Sequence, residues 1–269
     1  MKKKLDKRSI YLRSLILKLV AKEKRGHIGS SLSIVEILRV LYDEILNHKN
    51  IKSINTNRDR FILSKGHGCL ALYSILYDKK YIKNKHFNNF GTIDSILGGH
   101  PEHFVPGVEF STGSLGHGYP IAAGVAKALK LKKNTKNYVY CLLGDGELNE
   151  GSIWETCLSV SKHNLTNLIT MIDYNKLQSY DHVKYVLNLE PLKSKWNSFG
   201  FNVIECDGHD INLIKKKINF AKKFKQKPNV IIFHTVKGKG IKIAENNRYW
   251  HHKSNIDAET INNLKLETN

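Results

Sequence analysis

Long apolar runs are missing from this 269-residue chain. No stretch approaches the roughly 18 consecutive apolar residues of a membrane span, so an integral membrane protein is not expected. The start, Met1-Lys-Lys-Lys4, imitates the basic end of a signal peptide, but Arg13, Lys18 and Lys22 interrupt the apolar stretch behind it, which argues against a leader. Cysteine is scarce: Cys69, Cys141, Cys157 and Cys206 include no C-x-x-C pair. That spacing speaks against a disulfide framework or a zinc knuckle and for a reducing compartment, the cytoplasm. Internal repeats and low-complexity linkers are absent too, so residues 1–269 are expected to form one domain with N-terminal helices over about 9–46. Also missing are a Walker A loop, a G-x-G-x-x-G following a strand, and any arguable Ser-His-Asp or Cys-His triad. Acidic residues are outnumbered, 24 against 43 Lys and Arg, for a net charge of +19. Nucleic acid is nevertheless not the expected partner. Lys exceeds Arg about five to one, the basic residues are scattered, and phosphate forks favour Arg. With Asn and Ile also abundant, the excess reads as nucleotide-composition drift over a solvated basic face.

What is present is enough for a core: 41% hydrophobic and 9% aromatic residues. Helical periodicity marks residues 9–24, with Leu12, Leu15, Ile16, Leu19 and Val20 on one face. Ser33-Ile-Val-Glu36 reads as a capping box opening a helix to about Leu46. A buried strand is expected at 61–64, a helix over 68–78, a long functional loop over 82–112 and a helix over 117–132. Strands are then predicted at 138–143, 168–173, 201–206 and 229–235, with helices at 150–163, 191–199 and 210–225 between them. Strand–helix alternation at this spacing predicts an α/β fold, a parallel sheet with helices on both faces. Such sheets bind ligands beyond the carboxyl ends of their strands.

Polar and glycine-rich tracts follow the strands: Ser64-Lys-Gly-His67-Gly, Gly144-Asp145-Gly146-Glu147-Leu-Asn-Glu150-Gly, Asp173-Tyr-Asn175-Lys-Leu177 and Lys237-Gly-Lys-Gly240. Asp145 and Asn175 are the sharpest pair. They end neighbouring predicted strands one crossover apart, and glycines beside Asp145 let backbone N–H groups approach an anion. A carboxylate, an amide oxygen and a backbone carbonyl suit Mg²⁺ or Ca²⁺, and Mg²⁺ completes its shell with ligand phosphates, so a diphosphate is implied. Singly, each tract would be an ordinary turn. A second signal is histidine after glycine, at His27, His67, His100, His117 and His209. Five such pairs point to a pocket of polar donors and proton carriers. The role of His209, in Asp207-Gly-His-Asp210, stays open between site and helix start. Ser111-Thr-Gly113-Ser114-Leu115-Gly has small residues that admit a flat ring, or it is a loop and N-cap.

These tracts, with Gly26-His27-Ile-Gly29 and Gly99-His100-Pro-Glu102, resemble in order and spacing the N-terminal, diphosphate-binding half of transketolase, a thiamine diphosphate enzyme. The resemblance runs from about residue 9 to 255. It implies that Asp145, Asn175 and the Leu177 carbonyl hold Mg²⁺ or Ca²⁺, and that Gly146 and His67 contact the cofactor diphosphate. Gly113, Ser114 and Leu115 would lie along the cofactor. His27 and His100 would contact sugar hydroxyls and move protons. His251 would be a further substrate or phosphate contact, and Glu150 would lie near a subunit interface. The family pattern has glycine after that last histidine where this sequence has His252, which leaves His251 and His252 as alternatives. The implied reaction transfers a two-carbon ketol unit from a ketose phosphate to an aldose phosphate. The implied partner is a separate, pyrimidine-binding C-terminal-type chain, paired as a heterotetramer. Rival readings are the α subunit of a 2-oxo-acid dehydrogenase E1, a 1-deoxyxylulose-phosphate synthase fragment, a split pair serving a specialised sugar, and a non-catalytic basic protein on the same scaffold.

Overall fold

The computed structural model describes residues 5–48 and 57–266; the Met1-Lys-Lys-Lys4 start lies outside the described residues. Five strands run parallel: β1 (Arg60–Leu63), β2 (Val139–Gly144), β3 (Leu168–Tyr174), β4 (Asn202–Asp207) and β5 (Asn229–His234). They pair in the order β1-β2-β3-β5-β4. Side chains alternate across the sheet with a period of two. Tyr140 and Leu142 of β2 therefore join a core shared with the Lys7–Glu23, Val35–Val40, Cys69–Asp78 and Ile211–Lys223 helices. Val139, Cys141 and Leu143 join the core under the Gly118–Leu131, Gly151–Lys162 and Leu192–Ser198 helices. Helices cover both faces, which is why β2 and β3 are buried at every position.

The Lys7–Glu23 helix shows how local signals and packing agree. Asp6 caps it by accepting the Ser9 N–H at 2.8 Å. Its apolar stripe, Leu12, Leu15, Ile16, Leu19 and Val20, is buried against the sheet-side core. Withdrawing each such side chain from water contributes about 1.5–3 kcal/mol. Lys24, at φ 55°, ends the helix in the left-handed region.

The capping box expected at Ser33 and Glu36 is not formed. The helix there spans only Val35–Val40, behind a separate short helix, Ile28–Leu32, and passes into a wider-wound turn at Leu41–Ile45. Ser33 Oγ donates instead to Asp173 at the end of β3, at 2.7 Å. Glu36 turns inward to pair with Arg13. Buried long-range partners have taken both side chains that the local pattern assigned to a helix end. The expected long loop at 82–112 is mostly irregular, with one short helix at Asn84–Asn88.

The register sets the site. Gly144 of β2 pairs with Asp173 of β3, and Asp173 with Phe233 of β5, so these strands end at one level. The turns that follow them leave from the same edge.

Candidate functional site

A cavity of 240 Å³ opens at that edge. The turns after β1, β2, β3 and β5 line it with Lys65 and His67, Asp145 and Gly146, Asn175 and Leu177, and Lys237. Asp145 is 4% exposed. Its carboxylate accepts the N–H of Gly146 at 2.7 Å and of Lys176 at 2.5 Å. Burial, then the charge of Asp173, pushes the Asp145 carboxyl up to about 6, against the pull of Lys237. Asn175 Nδ2 donates to Asp173, while its Oδ1 accepts the Leu177 N–H, each at 3.1 Å. The Leu177 carbonyl accepts from Lys237 Nζ at 2.6 Å.

Behind this rim lies a buried charge network. Lys65 Nζ donates to Asp173 at 2.5 Å and to the Ser30 carbonyl at 3.0 Å. Burial alone would raise the Asp173 carboxyl, but the Lys65 ammonium, with the Thr235 and Ser33 hydroxyls, holds it below the usual carboxylate range. Lys237 is 2% exposed. Burial, with Lys65 nearby, lowers its ammonium to about 8 against the opposing charge of Asp145. Glu147, also buried, ties three segments together by accepting from Ser64 Oγ (2.5 Å), Gly116 N (3.0 Å) and Gly144 N (3.1 Å).

The donor chemistry fits a diphosphate and one hard cation. Gln178 Nε2 and Ser30 Oγ, both on residues lining the cavity, are buried without a hydrogen-bond partner. Unpaired buried donors are costly and call for an acceptor. Two ammonium groups add positive charge. Asp145, Asn175 and the Leu177 carbonyl offer hard oxygens on one side. No group of three or more His, Cys, Asp or Glu placed to hold a metal occurs among the described residues.

Imidazoles form the cavity's mouth. The ring of His27 lies 5.6 Å from that of His67, 5.7 Å from His100, 5.4 Å from His251 and 4.6 Å from His252. Burial is the main reason that His27 falls to about 3 and His251 to about 2, with the other histidines and lysines adding repulsion. Burial likewise holds His67 well below its usual value. These rings are neutral near pH 7 and can accept or donate a proton. A larger pocket of 420 Å³ continues outward past His27, His100 and His252 to Arg25, Glu102 and Phe104.

Most of the expected residues meet here: His27, His67, His100, Gly113, Leu115, Asp145, Gly146, Asn175, Leu177 and His251 all line the inner cavity. Ser114 does not line it; its side chain is exposed. Glu150 is exposed at the start of the Gly151–Lys162 helix. Of the two alternatives His251 and His252, both rings pack on His27, with His251 lining the inner cavity and His252 the outer pocket. Of the histidines that follow glycine, His27, His67 and His100 line the cavity, whereas His117 and His209, whose role the sequence leaves open, do not. His117 is exposed before the Gly118–Leu131 helix, and His209 is held by Glu36 away from the cavity. Lys65, Lys237, Asp173, Glu147 and Gln178 were given no role from the sequence. The signal available was a lysine within three residues of the end of each of two apolar strands, Lys65 after β1 and Lys237 after β5.

The sequence pattern of one family, described as "Transketolase, thiamine diphosphate binding domain", matches residues 5–268. The chain belongs to the transketolase family. It is 43% identical over 251 residues to one subunit of the apulose-4-phosphate transketolase of Actinobacillus succinogenes, covering 93% of this chain and 90% of that one. It is 37% identical to one subunit of a 6-deoxy-6-sulfo-D-fructose transketolase of Clostridium sp., over 87% and 85% of the two chains. Among solved structures, transketolase from Campylobacter jejuni superposes with a TM-score of 0.88 at 35% identity, over 96% of this chain and 41% of that one. The chain thus spans about two fifths of that solved transketolase, and carries the transketolase domain that binds thiamine diphosphate. Among the described residues no helix is long and apolar enough to cross a membrane.

Proposed function

We propose that this chain is the diphosphate-binding subunit of a two-chain transketolase that moves a two-carbon ketol unit from a ketose phosphate to an aldose phosphate. One observation carries the reading: a single cavity joins the Asp145–Asn175–Leu177 oxygen set to Lys65, Lys237 and the unpaired donors of Gln178 and Ser30, under a roof of neutral histidines. Thiamine diphosphate, when bound, supplies the carbanion chemistry. The protein's work is to anchor, orient and handle protons. Asp145, Asn175 and the Leu177 carbonyl would hold Mg²⁺ or Ca²⁺ together with diphosphate oxygens. Gly146, His67 and the two lysines would face the diphosphate, and Gly113 and Leu115, which line the cavity where Ser114 does not, would lie along the cofactor. His27, His100 and His251 contact sugar hydroxyls. As neutral rings they would donate and accept hydrogen bonds at those hydroxyls and help move protons there.

The partner is a chain with a pyrimidine-binding domain, joined in a heterotetramer. Three relatives that are named as single subunits of transketolases, matched over 85–90% of their own length, support it. Four free, buried cysteines support a cytoplasmic setting. Relatives named for apulose-4-phosphate and a sulfofructose widen the sugars to consider.

The test is quenching of intrinsic fluorescence by thiamine diphosphate, with and without Mg²⁺, followed by ketol-transfer assays with and without the partner chain. Quenching is expected to require Mg²⁺ and to disappear in Asp145→Ala while the fold persists. An Asp145→Ala chain that binds as well as the parent refutes the metal assignment, and turnover by this chain alone refutes the split arrangement.

A further inference from the structure

Arg13 and Glu36, on two separate helices, and His209, in the turn between β4 and the Ile211–Lys223 helix, lie outside the cavity, and their side chains are 0%, 1% and 8% exposed. Arg13, 0% exposed, pairs with both oxygens of Glu36 at 2.5 and 3.0 Å. Glu36 Oε2 meets His209 Nδ1 at 2.8 Å. The far nitrogen, His209 Nε2, accepts the N–H of Val236 at 2.9 Å. That fixes the tautomer: Nδ1 carries the hydrogen and donates it to Glu36. The other end of the network returns to the same loop, because Arg13 Nε donates to the Lys239 carbonyl at 2.8 Å. Residues 236 and 239 are thus gripped by one continuous chain of charge-assisted hydrogen bonds, and Lys237 lies between them.

The loop is shaped for that grip. Gly240 sits at φ +92°, and a Cβ there would come within 2.9 Å of Arg13 Nε. Gly238 sits at φ +78° against the Ala244 carbonyl, and its N–H donates to the Gly29 carbonyl at 3.0 Å. Between these points the Lys237 side chain runs inward to the Leu177 carbonyl and to His251 Nδ1, 2.7 Å away. A long, flexible side chain has many rotamers; fixing its backbone on both sides removes the freedom that would blur its aim.

We propose that Arg13, Glu36 and His209 form a positioning triad that sets Lys237 in the diphosphate cavity. This rests on the reading of that cavity given above only for what Lys237 grips; the triad's hold on the loop stands on geometry alone. His209 is a positioning residue, acting through the Val236 amide and not on the ligand.

Two readouts on the full chain test it: amide exchange of residues 236–241, and thiamine diphosphate affinity in the presence of Mg²⁺. His209→Leu removes both hydrogen bonds, whereas His209→Gln keeps an oxygen for Val236 N–H and an N–H for Glu36. His209→Leu is expected to speed exchange in 236–241 about ten-fold and to weaken cofactor binding about ten-fold, with protection of β2 and β3 unchanged. His209→Gln is expected to recover most of both effects. In a Lys237→Met background, His209→Leu should change affinity less than about two-fold, because the two residues act as one unit. Equal losses in both backgrounds, or unchanged exchange in His209→Leu, overturn the triad. If Lys237→Met alone leaves affinity intact, the lysine's contact with the diphosphate is refuted, and the exchange experiment still decides whether the triad holds the loop.

Discussion

Lys237 Nζ lies 2.6 Å from the carbonyl oxygen of Leu177, one of the three oxygens assigned to the metal. An ammonium group therefore sits where the proposed cation would bind, and the two would repel at short range. Lys237→Met is expected to tighten binding of Mg²⁺ alone and to weaken binding of thiamine diphosphate, each by about ten-fold. Titration calorimetry with the metal alone and then with the cofactor separates the two effects; a loss of both affinities would show that the lysine does not compete with the ion.

Lys65 and Asp173 are a buried ion pair, 1% and 0% exposed at their side chains. Removing one partner strands the other charge. Asp173→Ala should cost about 3–5 kcal/mol in urea unfolding, whereas Lys65→Met with Asp173→Leu should recover much of that loss. A single variant as stable as the parent would mean the pair is not the buried charge it is taken to be.

Two glycines give opposite expectations. A Cβ on Gly66 would fall 2.7 Å from the Thr112 carbonyl oxygen and 2.9 Å from Gly113 N, which are backbone atoms and cannot rotate away. Gly66→Ala should push Thr112–Gly113 into the cavity, lowering cofactor affinity and costing about 1–3 kcal/mol. Gly124, inside the Gly118–Leu131 helix, has nothing within 4 Å of where an added methyl would sit. Gly124→Ala should raise stability by about 0.5–1 kcal/mol with affinity unchanged. Thermal melts with and without cofactor distinguish the pair.

Acid should weaken the free chain through its histidines. His27 falls from 6.5 to about 3 in the fold, chiefly by burial. Below pH 6.5 the unfolded chain takes up a proton that the folded chain refuses, so this group's stability is whole above 6.5 and is lost as pH falls toward 3. Asp145 works in the opposite direction, since its carboxyl, raised to about 6, is protonated more readily in the fold than in the unfolded chain. His27→Gln should therefore flatten the decline between pH 6.5 and 3 in urea midpoints. An unchanged slope would locate the acid sensitivity elsewhere.

How much was legible depended on whether a residue's partner was local. Short apolar runs alternating with helical stretches located the five strands, and the rule that ligands lie beyond strand ends placed Asp145 and Asn175 where the register of Gly144 and Asp173 brings them. Ser33 and Glu36 misled because their spacing matches a helix cap, while their partners, Asp173 and Arg13, are 140 and 23 residues away. The His27–His252 contact joins opposite ends of the chain, which no window of sequence reveals. Lys65 and Lys237 were hidden by their type. Lysine is almost always solvated, and only the buried carboxylates and carbonyls around it show that these two are not.

Inside the cavity wall two ammonium groups answer two carboxylates, Lys65 with Asp173 and Lys237 in the field of Asp145. The fold itself supplies both lysines with opposing charge, and the third buried carboxylate, Glu147, is held by three hydrogen bonds. Cofactor loading would then add stability only through mass action, unlike small zinc domains that collapse without their ion.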